Sequence, residues 1–235
     1  QYDEMIETNK YYKLDNRIIF KWGYTLLDDM IEDYNKNKKN NKVKTIMIAP
    51  SWQKDNIIDL CLDDILNSLK KTNYRIIVRP HPQHVRHMKE KFEQMKEEYK
   101  DNKNIEIQTD FSSSNDSIFN SDVLITDWSS IGYEYAFATK KPVIFIDTPM
   151  KIMNPEYKKI KVEPINIWCR DKIGKVVKIK DAGKISNVVS ELLTSEKKYT
   201  DKIVKLTNEY IYNIGTSDKV GAEYIIELIQ KKKRY

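Results

Sequence analysis

Three short stretches hold the residue types that handle phosphate and protons. The first is Arg79-Pro80-His81-Pro82, directly after an apolar run. Its two prolines fix φ and stiffen the turn, which holds Arg79 and His81 in place. A guanidinium donates paired hydrogen bonds to phosphate, and an imidazole serves near neutral pH as acid, base or phosphate donor. The alternative is a stiff turn whose histidine caps the next helix. The second stretch runs from Ser121-Asp122 through Val123-Leu124-Ile125 to Thr126-Asp127-Trp128-Ser129-Ser130, with Glu134 beyond it. It reads as a strand ending at Thr126-Asp127, then a helix from Ser129. Hydroxyls and unpaired backbone N–H groups at a helix N-terminus bind phosphate without a glycine-rich loop. Glu134 lies four residues past Ser130, on the same face, where a carboxylate accepts from ribose hydroxyls. Asp127 and Ser129 are also cap residues, and the two roles are compatible. The third stretch is Pro50-Ser51-Trp52, whose indole either stacks on a base or packs beneath its loop.

Other candidates carry less. His84 and His87 stand three apart on a predicted helix without a third metal ligand, and read as surface residues. Lys231-Lys232-Lys233-Arg234 reads as a solvated tail. Cys61 and Cys169 have no partner at metal-ligand spacing, which fits a reducing compartment. No Walker loop, G-x-G-x-x-G or G-x-S-x-G is present, which argues against a P-loop NTPase, a dinucleotide dehydrogenase and an α/β-hydrolase.

The elements that must position these residues are short apolar runs alternating with helical stretches. Strands are predicted at Arg17-Ile18-Ile19-Phe20, Thr45 to Ala49, Tyr74 to Val78, Asn104 to Gln108, Val123 to Thr126 and Val143 to Ile146. Most are continuous apolar runs, so both faces are buried, as in a parallel sheet covered by helices. The result is an α/β, Rossmann-like, doubly wound domain over 1–235, in which ligands bind beyond the carboxyl ends of the strands. Between strands, Asp55 is expected to cap a helix carrying Ile58, Leu62, Ile65 and Leu69. One helix is expected from His84 to Tyr99 and another from Ser129 to Ala138. Ser112 to Asn115 is a polar loop, 151–183 is irregular, and helices with wet lysine faces follow from Ile185.

The 235 residues carry a net charge of +6, a mild excess that suits an anionic ligand or an anionic membrane surface. That excess is small and no nucleic-acid motif accompanies it, so nucleic acid is not expected as a partner. No apolar run is long enough to span a bilayer and no signal-peptide pattern is read. The chain begins at Gln1, as an excised part of a longer protein would.

Several of these segments resemble the CDP-glycerol glycerophosphotransferase family of teichoic-acid and capsule synthesis. Gly23-Tyr24 with Leu27-Asp28 is similar to its GYPxxD segment, and Pro50-Ser51-Trp52 to its PTW segment. Arg79-Pro80-His81-Pro82 matches its K/R-x-HP motif, and Lys141-Pro142-Val143-Ile144-Phe145 its KPVIF strand. Ser121 to Ser130 resembles SDVLITDYSS, with Trp128 in place of Tyr. Gly215-Thr216-Ser217 is similar to its late glycine segment. Pro149 to Arg170 departs from the pattern, and the family's glycine-rich GHG segment has no counterpart. The resemblance implies the C-terminal, donor-binding half of a GT-B fold, inactive without an N-terminal half. It implies a CDP-activated donor, a polysaccharide or lipid-linked polymer acceptor, and work in the cytoplasm at the inner face of the membrane; the alternatives are a GT-B glycosyltransferase using a nucleotide-sugar donor and a non-catalytic nucleotide- or polymer-binding domain. His81 would be catalytic, with Ser51, Trp52, Arg79, Thr126, Asp127, Ser129, Ser130 and Glu134 holding the donor. No acidic cluster demands a metal, and a loosely held Mg²⁺ is compatible with the scheme.

Overall fold

The computed structural model describes residues 1–14, 17–39, 41–110 and 116–232. Six strands, β1 (Thr45–Ile48), β2 (Arg75–Val78), β3 (Ile105–Ile107), β4 (Val123–Thr126), β5 (Val143–Ile146) and β6 (Gly174–Val177), form one sheet in the order β3-β2-β1-β4-β5-β6. Every pairing is parallel, with Ile46 opposite Ile76 on one side and Val123 on the other. The chain winds outward from β1 to β3, then returns to lay β4 against the free side of β1. Neighbouring loops therefore leave β1 and β4 in opposite directions, opening a crevice at their carboxyl ends.

All residues of β1, β4 and β5 are buried, as a sheet covered on both faces requires. The helix Thr25–Asn37 packs on Ile131–Thr139, and Leu62–Leu69 packs on Ile185–Thr194. Leu27, Ile65, Leu66, Leu69, Tyr135, Ile185 and Val189 complete the core, each almost wholly removed from water. Full burial of one such aliphatic side chain contributes on the order of 1.5–3 kcal/mol.

The structure differs from the sequence expectations in several places. Arg17 to Phe20 is not a strand: Ile18 is 71% exposed and Phe20 stacks on Tyr224 of the last helix, with ring centroids 4.0 Å apart. The sixth strand is instead β6, inside the stretch expected to be irregular, where it pairs with β5 at the sheet's edge. Asn56, not Asp55, caps the following helix by accepting from Ile58 N, and Cys61 splits the expected helix into Ile57–Leu60 and Leu62–Leu69. The helix after β2 begins at Pro82 and breaks at Met88 into Pro82–His87 and Lys89–Tyr99. The helix after β4 spans Ile131–Thr139. Ser112 to Asn115 lies outside the described residues. Helices Ile185–Thr194 and Glu196–Tyr210 bury apolar stripes, but Ser217–Lys232 leaves Ile225, Ile226, Leu228 and Ile229 exposed. Lys231 in that helix ion-pairs with Glu227 at 2.6 Å.

Candidate functional site at the β1–β4 switch

The two strands flanking the switch point are tied by one carboxylate. Asp127, fully buried at the end of β4, accepts from Ser51 N at 2.7 Å and Ile57 N at 3.3 Å across the crevice. Burial raises its pKa, while the Ser51 side chain and then the N–H groups of Ser51, Trp128 and Ile57 favour the charged form. Thr126 is also fully buried, and its hydroxyl donates to Ala49 O at 2.6 Å. Both residues therefore hold the β1 and β4 loops in register, with their polar atoms satisfied inside the fold. Ser51 Oγ lies in the same buried seam, within reach of the Asp127 carboxylate.

Ser129 and Ser130 follow at the edge, and Ser130 precedes the first turn of Ile131–Thr139 without using its side chain as a cap. Gly132 N and Tyr133 N already donate to Ser129 O and Ser130 O, at 3.3 and 2.9 Å, and the helix start carries the positive dipole end, which suits an anion. Glu134, in the first turn, is partly exposed and accepts from Tyr24 Oη at 2.7 Å. Sequence reasoning did not single out Tyr24. Its only signal was the Gly23-Tyr24 pair, whose purpose becomes visible once residues 17–24 are seen crossing to this edge.

Trp52 is 40% exposed and gathers all three histidines of the chain. Its ring lies nearly parallel to His87 at 5.5 Å and to His81 at 6.3 Å, and meets His84 edge-on at 4.8 Å. Lys151 donates to Trp52 O at 3.1 Å, which brings the loop after β5 over the same place. His84 is buried rather than on the surface, with Asn56 Nδ2 at 3.3 Å from its Nε2. Desolvation pulls its pKa down to about 4, so the ring is neutral. His81 is exposed and caps Pro82–His87, its Nδ1 accepting from Gln83 N at 3.2 Å. Partial burial and then Lys151 lower its pKa as well.

Arg79 takes a different direction. Its guanidinium donates to Ser117 Oγ at 2.8 Å and Gln108 Oε1 at 3.2 Å, on the β3 side of β2. Ser129 stands beyond β1, so the structure does not bring Arg79 and Ser129 together. Another arginine does reach β4: Arg170, buried, stacks 4.0 Å above Trp128 and donates to Asp147 at 3.0 Å and Ile146 O at 3.2 Å. Trp128 Nε1 donates to Thr148 O at 2.9 Å. The Trp at position 128 thus has a partner in the segment that departs from the family pattern, a pairing no spacing rule would have revealed.

Among the described residues, no group of three or more His, Cys, Asp or Glu side chains is placed to hold a metal ion. No described helix is long and apolar enough to cross a membrane. A shallow hollow of about 520 Å³ near Lys70 and Asn102 lies at the amino ends of the strands, away from these residues.

Comparisons with known proteins bear on the family and the fold. The family described as CDP-Glycerol:Poly(glycerophosphate) glycerophosphotransferase matches residues 2–231. The minor teichoic acid biosynthesis protein GgaB of Bacillus subtilis (strain 168) is 26% identical, across 62% of this chain and 17% of its own. Among solved structures, a variant of the wall teichoic acid polymerase TagF soaked with CDPG for 30 minutes has a TM-score of 0.55 at 19% identity, over 91% of this chain and 50% of that one. The α,α-trehalose 6-phosphate synthase of Burkholderia multivorans has a TM-score of 0.51 at 9% identity, over 88% and 46%. At these identities the structural likenesses show the fold alone. The chain spans about a sixth of the curated relative and half of the solved TagF chain. With a match from residue 2 to residue 231, the chain belongs to the CDP-glycerol:poly(glycerophosphate) glycerophosphotransferase family.

Proposed function

We propose that this chain is the nucleotide-binding part of a transferase that moves glycerol phosphate, or a related phospho-alditol, from a CDP-linked donor to a hydroxyl of a teichoic-acid-like or other polysaccharide acceptor. What supports this reading is the family match, together with the position of Ser129 and Ser130 just past the carboxyl end of β4, next to the Asp127 carboxylate that holds Ser51 N. Residues 1–235 act as one domain, and an N-terminal half of the same enzyme supplies the opposite wall of the cleft. The work is placed at the inner face of the cell membrane, where donor and growing polymer meet.

In the reaction, the acceptor oxygen forms a bond to the phosphorus bearing the glycerol. The bond from that phosphorus to the bridging oxygen breaks, CMP leaves with the electron pair, and the hydroxyl proton passes to solvent. Catalysis here is positioning and charge neutralisation. The helix start at Ser129-Ser130 faces the diphosphate, Glu134 takes the ribose, and Trp52 offers an apolar surface. Because Nδ1 of His81 accepts a backbone N–H, Nε2 carries the proton of the neutral ring. That favours His81 as a hydrogen-bond donor to a phosphate oxygen over a base for the attacking hydroxyl.

Calorimetry on this chain should show CDP binding more tightly than UDP or GDP. Tighter binding of UDP would assign the site to a nucleotide-sugar, as in glycosyltransferases of similar fold. In the longer enzyme, His81→Ala should lower turnover about 10²–10³-fold, the range for one lost transition-state donor. His81→Gln, which still donates, should keep a measurable part of that loss from appearing. Equal losses in both variants would return His81 to the role of base.

A further inference from the structure

Resting on the donor-site reading above, we infer that Tyr24 is a positioning residue for the donor's ribose, orienting the Glu134 carboxylate from an arm anchored on the last helix. The arm is built for closeness. Gly23 adopts φ +129°, and a Cβ there would fall 2.4 Å from Ser217 Cβ and 2.7 Å from Tyr212 O. Both the conformation and the contact admit only glycine. One turn away, a Cβ on Gly221 would stand where the Trp22 indole lies, 2.2 Å from its ring atoms. Asn213 Nδ2 donates to Lys21 O at 2.8 Å and to Trp22 O, and Asp28 accepts from Gly215 N at 2.8 Å and Ser217 N at 3.1 Å. Two segments almost 190 residues apart, Gly23 to Asp28 and Gly215 to Ser217, thus form one joint.

Among the described residues, the side-chain hydrogen bond from this joint to the helix Ile131–Thr139 is that of the Tyr24 hydroxyl, donating to Glu134 Oε1. Desolvation, then Glu134 itself, raises the Tyr24 pKa, so the phenol keeps the proton it donates. A carboxylate has capacity for about four hydrogen bonds. Tyr24 fixes one oxygen of Glu134 and leaves the remaining lone pairs to a vicinal diol. The joint links the ends of the chain to ribose recognition, a task that simple closure of the fold would not require.

The test is calorimetry of CDP and 2′-deoxy-CDP on the chain, its Tyr24→Phe and Glu134→Gln variants and the double variant, with thermal melts alongside. The wild type should prefer CDP about tenfold. Tyr24→Phe should melt like the wild type, weaken CDP about three- to tenfold, and leave 2′-deoxy-CDP nearly unaffected, so that the ribose preference shrinks. In the Glu134→Gln background the same change should add little. An intact preference in Tyr24→Phe overturns the inference, as does an equal loss of both nucleotides. If Tyr24→Phe melts early, the residue holds the joint only. Failure of CDP to bind the wild type at all would sink the donor-site reading, and this inference with it.

Discussion

Asp127 and Asp28 do the same job in opposite surroundings. Each accepts backbone N–H groups from a segment far away in sequence: Asp127 from Ser51 and Ile57, Asp28 from Gly215 and Ser217. Asp127 is fully buried between two central strands, whereas Asp28 is partly exposed at a helix N-terminus. Water can replace Asp28 as the acceptor for the exposed Gly215, but it cannot easily reach Ser51 N or Ile57 N. The same carboxylate chemistry is therefore structural necessity in one place and adjustable anchorage in the other.

The largest expected effect is at Asp127. Asp127→Ala leaves two buried N–H groups unpaired, at about 1–3 kcal/mol each. Relief of the buried charge offsets part of that, so a net loss of about 2–5 kcal/mol is expected. The melt should fall on the order of 10 °C for a chain of this size. A fall smaller than that of Asp28→Ala would break the comparison.

His84 tests the buried side by pH. Its folded pKa of about 4 lies below the ordinary 6.5 of the unfolded ring. Above 6.5 neither state holds the proton. Between 6.5 and 4 the unfolded chain takes a proton that the folded chain refuses, so stability falls as pH drops, by up to about 1.4 kcal/mol per pH unit. The raised pKa of Asp127 acts with the opposite sign in acid, because the folded state there holds a proton more readily. Denaturant melts from pH 4 to 7 should show a shallower acid slope in His84→Phe. Parallel slopes would mean that His84 is solvated.

Asp28→Ala should be the mildest, about 1 kcal/mol, typical of a lost helix cap. Its sharper signature is weakened CDP binding at nearly unchanged stability, because the joint that carries Tyr24 loosens. A variant that loses stability and keeps full affinity would separate Asp28 from the site.

Five strands were legible because Ile46-Met47-Ile48, Ile76-Ile77-Val78 and their neighbours are continuous apolar runs that only a doubly covered sheet can bury. Arg17-Ile18-Ile19-Phe20 has the same composition, but its partner is the helix around Tyr224, a choice made by tertiary contact rather than by pattern. β6 was hidden for the converse reason: an edge strand holding Gly174, Lys175 and an exposed Val176 lacks an apolar signature. At the site, the turns after β1, β2 and β4 were readable from their polar residues. The direction of Arg79, the burial of His84 beneath Trp52 and the reach of Tyr24 depend on which loops fold over which, and local sequence does not encode that.

The joint between residues 17–24 and the last helix has a consequence for kinetics. Among the residues described in Ser217–Lys232, only Ser217 and Gly221 are buried, and residues 17–24 have no place in the sheet. Such a unit opens locally at much lower free energy than the strands beneath it. Apparent affinity for a ligand scales with the fraction of molecules in the binding-competent state. If Tyr24 serves the donor, loosening the stack of Phe20 on Tyr224 lowers affinity without touching a single ligand contact. Amide exchange in residues 17–24 would register that opening directly, long before any proton in β1 or β4 is lost.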